Sequence, residues 1–161
     1  MKFEKAVDIL EVAVGVERHS VELYVKLFET AASSRAKELF SLLAAEEEKH
    51  LGRVRALLEL VADYVPRYGY PGEYELFVDG MARRSLRFSL DISRLPQAGS
   101  AREAIAAAMT LEKDVAAFYS AHLDWFRNDT RLGLEELIEE ETGHLEKLKD
   151  LLGTYPAAQE D

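Results

Sequence analysis

The chain has 161 residues, 48% apolar and 31% charged, with no cysteine and a net charge of −10 from 30 acidic and 20 basic side chains. That length fits one domain that buries roughly 70% of its unfolded surface, and the balance suits neither a disordered nor a membrane-spanning chain. The acidic excess argues against a nucleic-acid or membrane surface as partner. The missing cysteine excludes disulfides, thiol nucleophiles, thiolate-bound zinc and cysteine-held iron–sulfur clusters.

Met1-Lys2-Phe3-Glu4-Lys5 leads into an apolar stretch broken by Asp8, Glu11 and Glu17, which is not a signal-peptide pattern, so a cytoplasmic location is expected. Apolar residues then recur at the 3.6-residue spacing of amphipathic helices. A first helix over about 3–31 carries Leu10, Ala13, Val14, Val21, Tyr24 and Phe28 on one stripe. Ser33-Ser34 offers an N-cap for a second, over about 35–63, striped by Phe40, Leu43, Ala44, Leu51, Val54 and Leu58.

Residues 64–100 break the pattern. They hold Pro66, Pro71 and Pro96 and the run Tyr64, Tyr68, Tyr70 and Tyr74. A connector this long is expected to return the chain along the bundle, about 35–40 Å at 1.5 Å per helical residue. Its apolar residues, from Leu76 and Phe77 to Leu90 and Ile92, predict packing against the bundle or a second subunit.

Ser100-Ala101-Arg102-Glu103 reads as a capping box for a third helix, about 101–127, striped by Ile105, Ala108, Met109, Val115, Ala116, Tyr119, Leu123 and Phe126. Asn128-Asp129-Thr130 is the expected break before a fourth, about 131–152, with Leu134, Leu137, Ile138, Leu145, Leu148 and Leu152. Gly153 and Pro156 stop it, leaving a flexible tail at 154–161. Short loops within each pair make antiparallel neighbours. The reading is all-α: an antiparallel four-helix bundle of two αα-hairpins over residues 1–153, with one long crossover between helices 2 and 3.

A carboxylate interrupts every stripe. Glu17 sits between Val14 and Val21, and Glu112 between Met109 and Val115. The other two stripes carry Glu47 with His50 and Glu141 with His144, pairs whose i, i+3 spacing puts carboxylate and imidazole on one face. One such glutamate can pack its methylenes and reach water. Four facing one core would repel one another at a cost of several kcal/mol each, which divalent cations relieve. Carboxylates and imidazoles suit iron, manganese or zinc alike.

The halves also repeat. Gly15–Tyr24 lies over Thr110–Tyr119, aligning Glu17 with Glu112 and Tyr24 with Tyr119, and Glu17 precedes Glu47 by 30 residues as Glu112 precedes Glu141 by 29. The tyrosines are candidates for hydrogen-bonding a ligand or relaying an electron, against the plainer reading of core tyrosines with satisfied hydroxyls. His19, on the helix face opposite Glu17, is expected in solvent, and His122 at the surface or an interface. Glu46, Glu48, Glu139 and Glu140 read as a solvated charged face.

Two lone glutamates and two Glu-x-x-His pairs in register resemble the ferritin-like di-metal carboxylate family, and within it the rubrerythrin-like branch, over about residues 1–153. The resemblance implies two iron ions, with Glu47 and Glu141 bridging, Glu17 and Glu112 terminal, and His50 and His144 as terminal imidazoles. It implies reduction of hydrogen peroxide or dioxygen, or alternatively ferroxidase and iron-storage work. Without a cysteine-bound iron module of its own, the chain would take electrons from an external rubredoxin-type protein. Met109 and Val115 stand where rubrerythrins add a further glutamate, bringing the six-residue set closer to a plain ferroxidase or oxidase centre. Exposed aromatics of the crossover point to a homodimer or larger homo-oligomer.

Overall fold

The computed structural model describes residues 6–61 and 101–155. The four apolar recurrences fold as α1 (Ala6–Thr30), α2 (Ser34–Val61), α3 (Ala101–His122) and α4 (Asn128–Leu152), and no strand occurs among the described residues. α1 lies along α2 and α3 along α4, and the hairpins meet through α2 with α4 and α1 with α3. The result is an all-α four-helix bundle. The crossover at 64–100 and the capping serine at 100 lie outside the described residues.

Local chemistry sets the helix ends. The Ser33 hydroxyl accepts a hydrogen bond from the Ala36 N–H at 3.1 Å, satisfying a first-turn donor of α2. At the far end of the chain the Arg102 guanidinium donates to the Tyr155 carbonyl at 2.8 Å, tying α3 to the turn after α4. Gly153 ends α4 with φ −61°, so the helix stops without a left-handed cap.

The core is built from Leu10, Ala13, Phe40, Leu43, Val54, Ile105, Ala108, Leu134, Leu137 and Leu148, all expected on the stripes. Leu27, Leu111, Phe118 and Leu151 join them from beside the predicted lines. Phe28, expected inward, is 42% exposed, and Leu27 takes its place. Both spacings fit a 3.6-residue period, so the pattern alone does not choose between them.

The second inter-helix turn also differs from expectation. α3 ends at His122 rather than about 127, a 3₁₀ turn follows over Leu123–Trp125, and α4 begins at Asn128. Asn128 has φ 51°, the only positive value at a non-glycine among the described residues. Asparagine is among the residues that tolerate this region. The turn returns Phe126 to the core at 3% exposure.

Candidate metal centre

Each helix delivers its acid to the middle of the bundle: Glu17 from α1, Glu47 and His50 from α2, Glu112 from α3, Glu141 and His144 from α4. None is more than 2% exposed. Glu47, His50, Glu141 and His144 each offer a ligand atom, all within 4.8 Å of one another. Glu17 Oε2 stands 3.9 Å from His50 Nδ1, and Glu112 Oε2 stands 3.6 Å from His144 Nδ1. The structure thus brings all six sequence-predicted residues to one place.

The contacts cross between hairpins. His50 Nδ1 is 2.9 Å from Glu141 Oε1, and His144 Nδ1 is 2.8 Å from Glu47 Oε1. The two rings stack with centroids 5.2 Å apart and planes 12° from parallel. The Tyr24 hydroxyl on α1 donates to Glu112 Oε1 on α3, and the Tyr119 hydroxyl on α3 donates to Glu17 Oε1 on α1. Both tyrosines are essentially buried. Each hydroxyl is thus satisfied by a carboxylate of the centre, an arrangement that fits both readings given for these tyrosines.

Burial and crowding pull the groups apart in proton affinity. Burial, reinforced by the charge of Glu141, raises Glu17 and Glu112 well above the usual carboxylate range. Burial acts on Glu141 in the same direction, but His144 and His50 beside it prevail and hold it well below that range. Burial disfavours the charged imidazoles, yet Glu141 and Glu47 push His50 up to about 11. Around His144, Glu112, Glu141 and Glu47 likewise overcome burial and push it to about 12. Burial and the facing glutamates raise both tyrosine hydroxyls, keeping them protonated donors.

Several of these atoms remain unsatisfied. Glu17 Oε2, both Glu47 oxygens, Glu141 Oε2 and His144 Nδ1 are buried without a hydrogen-bond partner among the described residues. Glu47 Oε1 and His144 Nδ1 are close but lack hydrogen-bond alignment. Buried polar atoms are normally paired. His50 Nδ1 and Glu141 Oε1 do pair, at 2.9 Å, but these other atoms converge without partners, as a cationic centre requires, so the residues fit a pair of divalent metal ions.

Two residues read as solvated keep that exposure, Glu140 at 47% and Glu46 at 27%, and each also touches an imidazole of the site. Glu140 Oε2 accepts from His50 Nε2 at 2.7 Å, and Glu46 Oε2 lies 3.0 Å from His144 Nε2. Burial would raise Glu140, but the hydrogen bonds from Arg53 and His50 outweigh it and lower it. A sequence signal was present: in both motifs a glutamate directly precedes the Glu-x-x-His glutamate. His19 is also corrected. It is 1% exposed, with Nδ1 3.9 Å from Glu22, and it extends the burial of α1, which has no exposed position from Ile9 to Ser20. His122 is half-buried, its Nδ1 2.7 Å from the Phe118 carbonyl. Val115 is buried and Met109 half-buried beside Glu112.

Fold and buried cluster together define a helical-bundle protein with a core compatible with two metal ions. The family model for rubrerythrin matches residues 8–152, nearly the whole chain. The chain belongs to the rubrerythrin family. Neither the curated proteins nor the solved structures give a significant match. No helix among the described residues is long and apolar enough to cross a membrane.

Proposed function

We propose that this protein is a di-iron oxidoreductase that reduces hydrogen peroxide or dioxygen with electrons from an external redox protein. The carrying observation is the set of four buried carboxylates and two imidazoles with unsatisfied atoms aimed at one another. Glu47 and Glu141 would bridge the two ions, with Glu17 and His50 completing one end and Glu112 and His144 the other. When bound, a pair of ferrous ions supplies two electrons, which with two protons convert hydrogen peroxide to two waters.

The chain's own residues prepare that chemistry. Four ionised carboxylates balance the charge of two divalent ions, and the apolar core around them limits water. Tyr24 and Tyr119 hold one oxygen of Glu112 and of Glu17, leaving the second oxygen for a metal. Loading displaces the protons otherwise held at His50 Nδ1 and His144 Nδ1 and those favoured on the raised Glu17 and Glu112, since a ligating imidazole is neutral and a ligating carboxylate ionised. Exposed Leu60, Leu132 and Trp125 support a homodimer or larger assembly, and the cytoplasm remains the expected compartment.

The ferroxidase reading uses the same six residues and is favoured by the apolar Met109 and Val115 flanking Glu112. One experiment separates the two. The protein is loaded anaerobically with ferrous iron, mixed with peroxide or air, and followed by stopped-flow absorbance and iron analysis. Faster oxidation by peroxide, with iron stopping at two per chain, supports the oxidoreductase. Accumulation of many irons per chain replaces it with storage, and failure to bind iron removes both.

A further inference from the structure

The imidazoles of His50 and His144 have a second nitrogen each, and both point outward onto a carboxylate of the opposite hairpin. His50 on α2 meets Glu140 of α4, and His144 on α4 meets Glu46 of α2. Each carboxylate is itself held by a cation on the other helix. Arg53 of α2 donates to the same Oε2 of Glu140, and Lys147 of α4 donates to the same Oε2 of Glu46 at 2.6 Å. The arrangement lines a cleft of about 560 Å³ between α2 and α4 that reaches the edge of His144.

Exposed ion pairs of this kind contribute about 0–1 kcal/mol as ties between helices. Stability therefore does not explain why a glutamate stands in the same place in both motifs. Ring orientation does. An imidazole that ligates through Nδ1 must carry its proton at Nε2, and a carboxylate on that N–H fixes both tautomer and ring plane.

We propose that Glu140 and Glu46 are the positioning residues of the metal centre: each takes the Nε2–H of the imidazole facing it and so presents that ring's Nδ1 to a metal. The proposal rests on the di-metal reading above. Arg53 and Lys147 serve the two carboxylates, not the rings. Glu140, the better aligned of the two, carries the larger share.

Zinc alone is the probe, being diamagnetic and redox-silent. Affinity is measured by competition with a chromophoric chelator, and the ring tautomers by nitrogen-15 NMR of the zinc-loaded chain. Wild type is expected to take two zinc ions, with both histidines as Nε2–H tautomers whose ring protons exchange slowly. Glu140→Ala should lower zinc affinity about 10-fold or more, within the range such outer partners supply. It should also speed exchange of the His50 Nε2 proton. Glu46→Ala should do the same at His144 to a smaller extent, and Glu140→Gln, which keeps a neutral acceptor, should fall between.

Both glutamates are partly exposed, so folding is not at stake. Arg53→Gln removes the ion pair but keeps the carboxylate, and should leave the ring signals in place. Unchanged affinity and ring signals in the alanine variants would overturn the proposal while leaving the di-metal reading intact. So would an Arg53→Gln variant that reproduces Glu140→Ala, because the ion pair rather than the ring contact would then matter. A wild-type chain that binds no zinc overturns both.

Discussion

The two hairpins carry equivalent chemistry in unequal settings. α1–α2 and α3–α4 each supply a lone glutamate, a tyrosine and a Glu-Glu-x-x-His run, and the contacts of one are mirrored in the other. Yet the α1–α2 interface is the more extensive, and α1 is buried on all sides over Ile9–Glu17 where α3 keeps exposed positions. The cation behind the outer glutamate is arginine on one side and lysine on the other. The difference teaches that the two hairpins match in the contacts they make across the site while the scaffold around it differs. The tyrosine that bonds each lone glutamate comes from the opposite hairpin.

The sharpest way to break this equivalence is to remove an inner carboxylate. Glu47→Ala and Glu141→Ala should each lower metal affinity by more than about 100-fold, beyond the range of an outer partner. Competition titration would show the hairpins unequal if either variant kept wild-type affinity.

Next in size is a pH effect on the metal-free chain. His50 and His144 keep their protons up to about 11 and 12, above their ordinary value of about 6.5. Their stabilisation is therefore complete below about 6.5 and is lost as pH rises toward those values. Raised Glu17 and Glu112 act with the same sign. Melting temperature of the metal-free protein should fall between pH 6.5 and about 10, whereas zinc-loaded protein, with neutral imidazoles, should stay level. A flat metal-free profile would contradict the proton-holding network.

Tyr24→Phe and Tyr119→Phe sharpen the comparison directly. Each leaves a buried carboxylate oxygen without its donor, at about 1–3 kcal/mol in urea unfolding of the metal-free protein. Equal losses confirm matched halves, and a cost confined to one variant assigns the stability to one of the two bonds between hairpins. The smallest effect is at Gly52 of α2, where an added Cβ meets nothing within 4 Å. Gly52→Ala should add about 0.5–1 kcal/mol to stability. Gly133→Ala of α4 should gain less, because its Cβ would lie 3.0 Å from Leu57 Cδ2.

Much of the centre was legible before any coordinates. A charged residue on an apolar stripe is conspicuous, so Glu17, Glu47, Glu112 and Glu141 stood out with His50 and His144 on the same faces. Tyr24 and Tyr119 followed from the internal repeat, though not their exchange between hairpins, which depends on how the helices face. Glu46 and Glu140 were hidden because a glutamate in an acidic run looks solvated wherever its carboxylate ends. Their function depends on reaching across to another helix. Phe28 and Leu27 exchanged places because helical periodicity tolerates a one-residue rotation. The turn at Asn128 depends on a single backbone angle that composition does not encode.

The exchange of hydroxyls between Glu17 and Glu112 bears on ancestry. Both tyrosine hydroxyls and the shortest contact of each imidazole reach the opposite hairpin, so a lone hairpin with the same residues would complete those contacts by pairing with an identical copy. Duplication and fusion of such a unit would inherit the whole network at once. Each half of such a fusion is free to differ in packing, as α1 and α3 differ in burial, provided the residues reaching across stay in step.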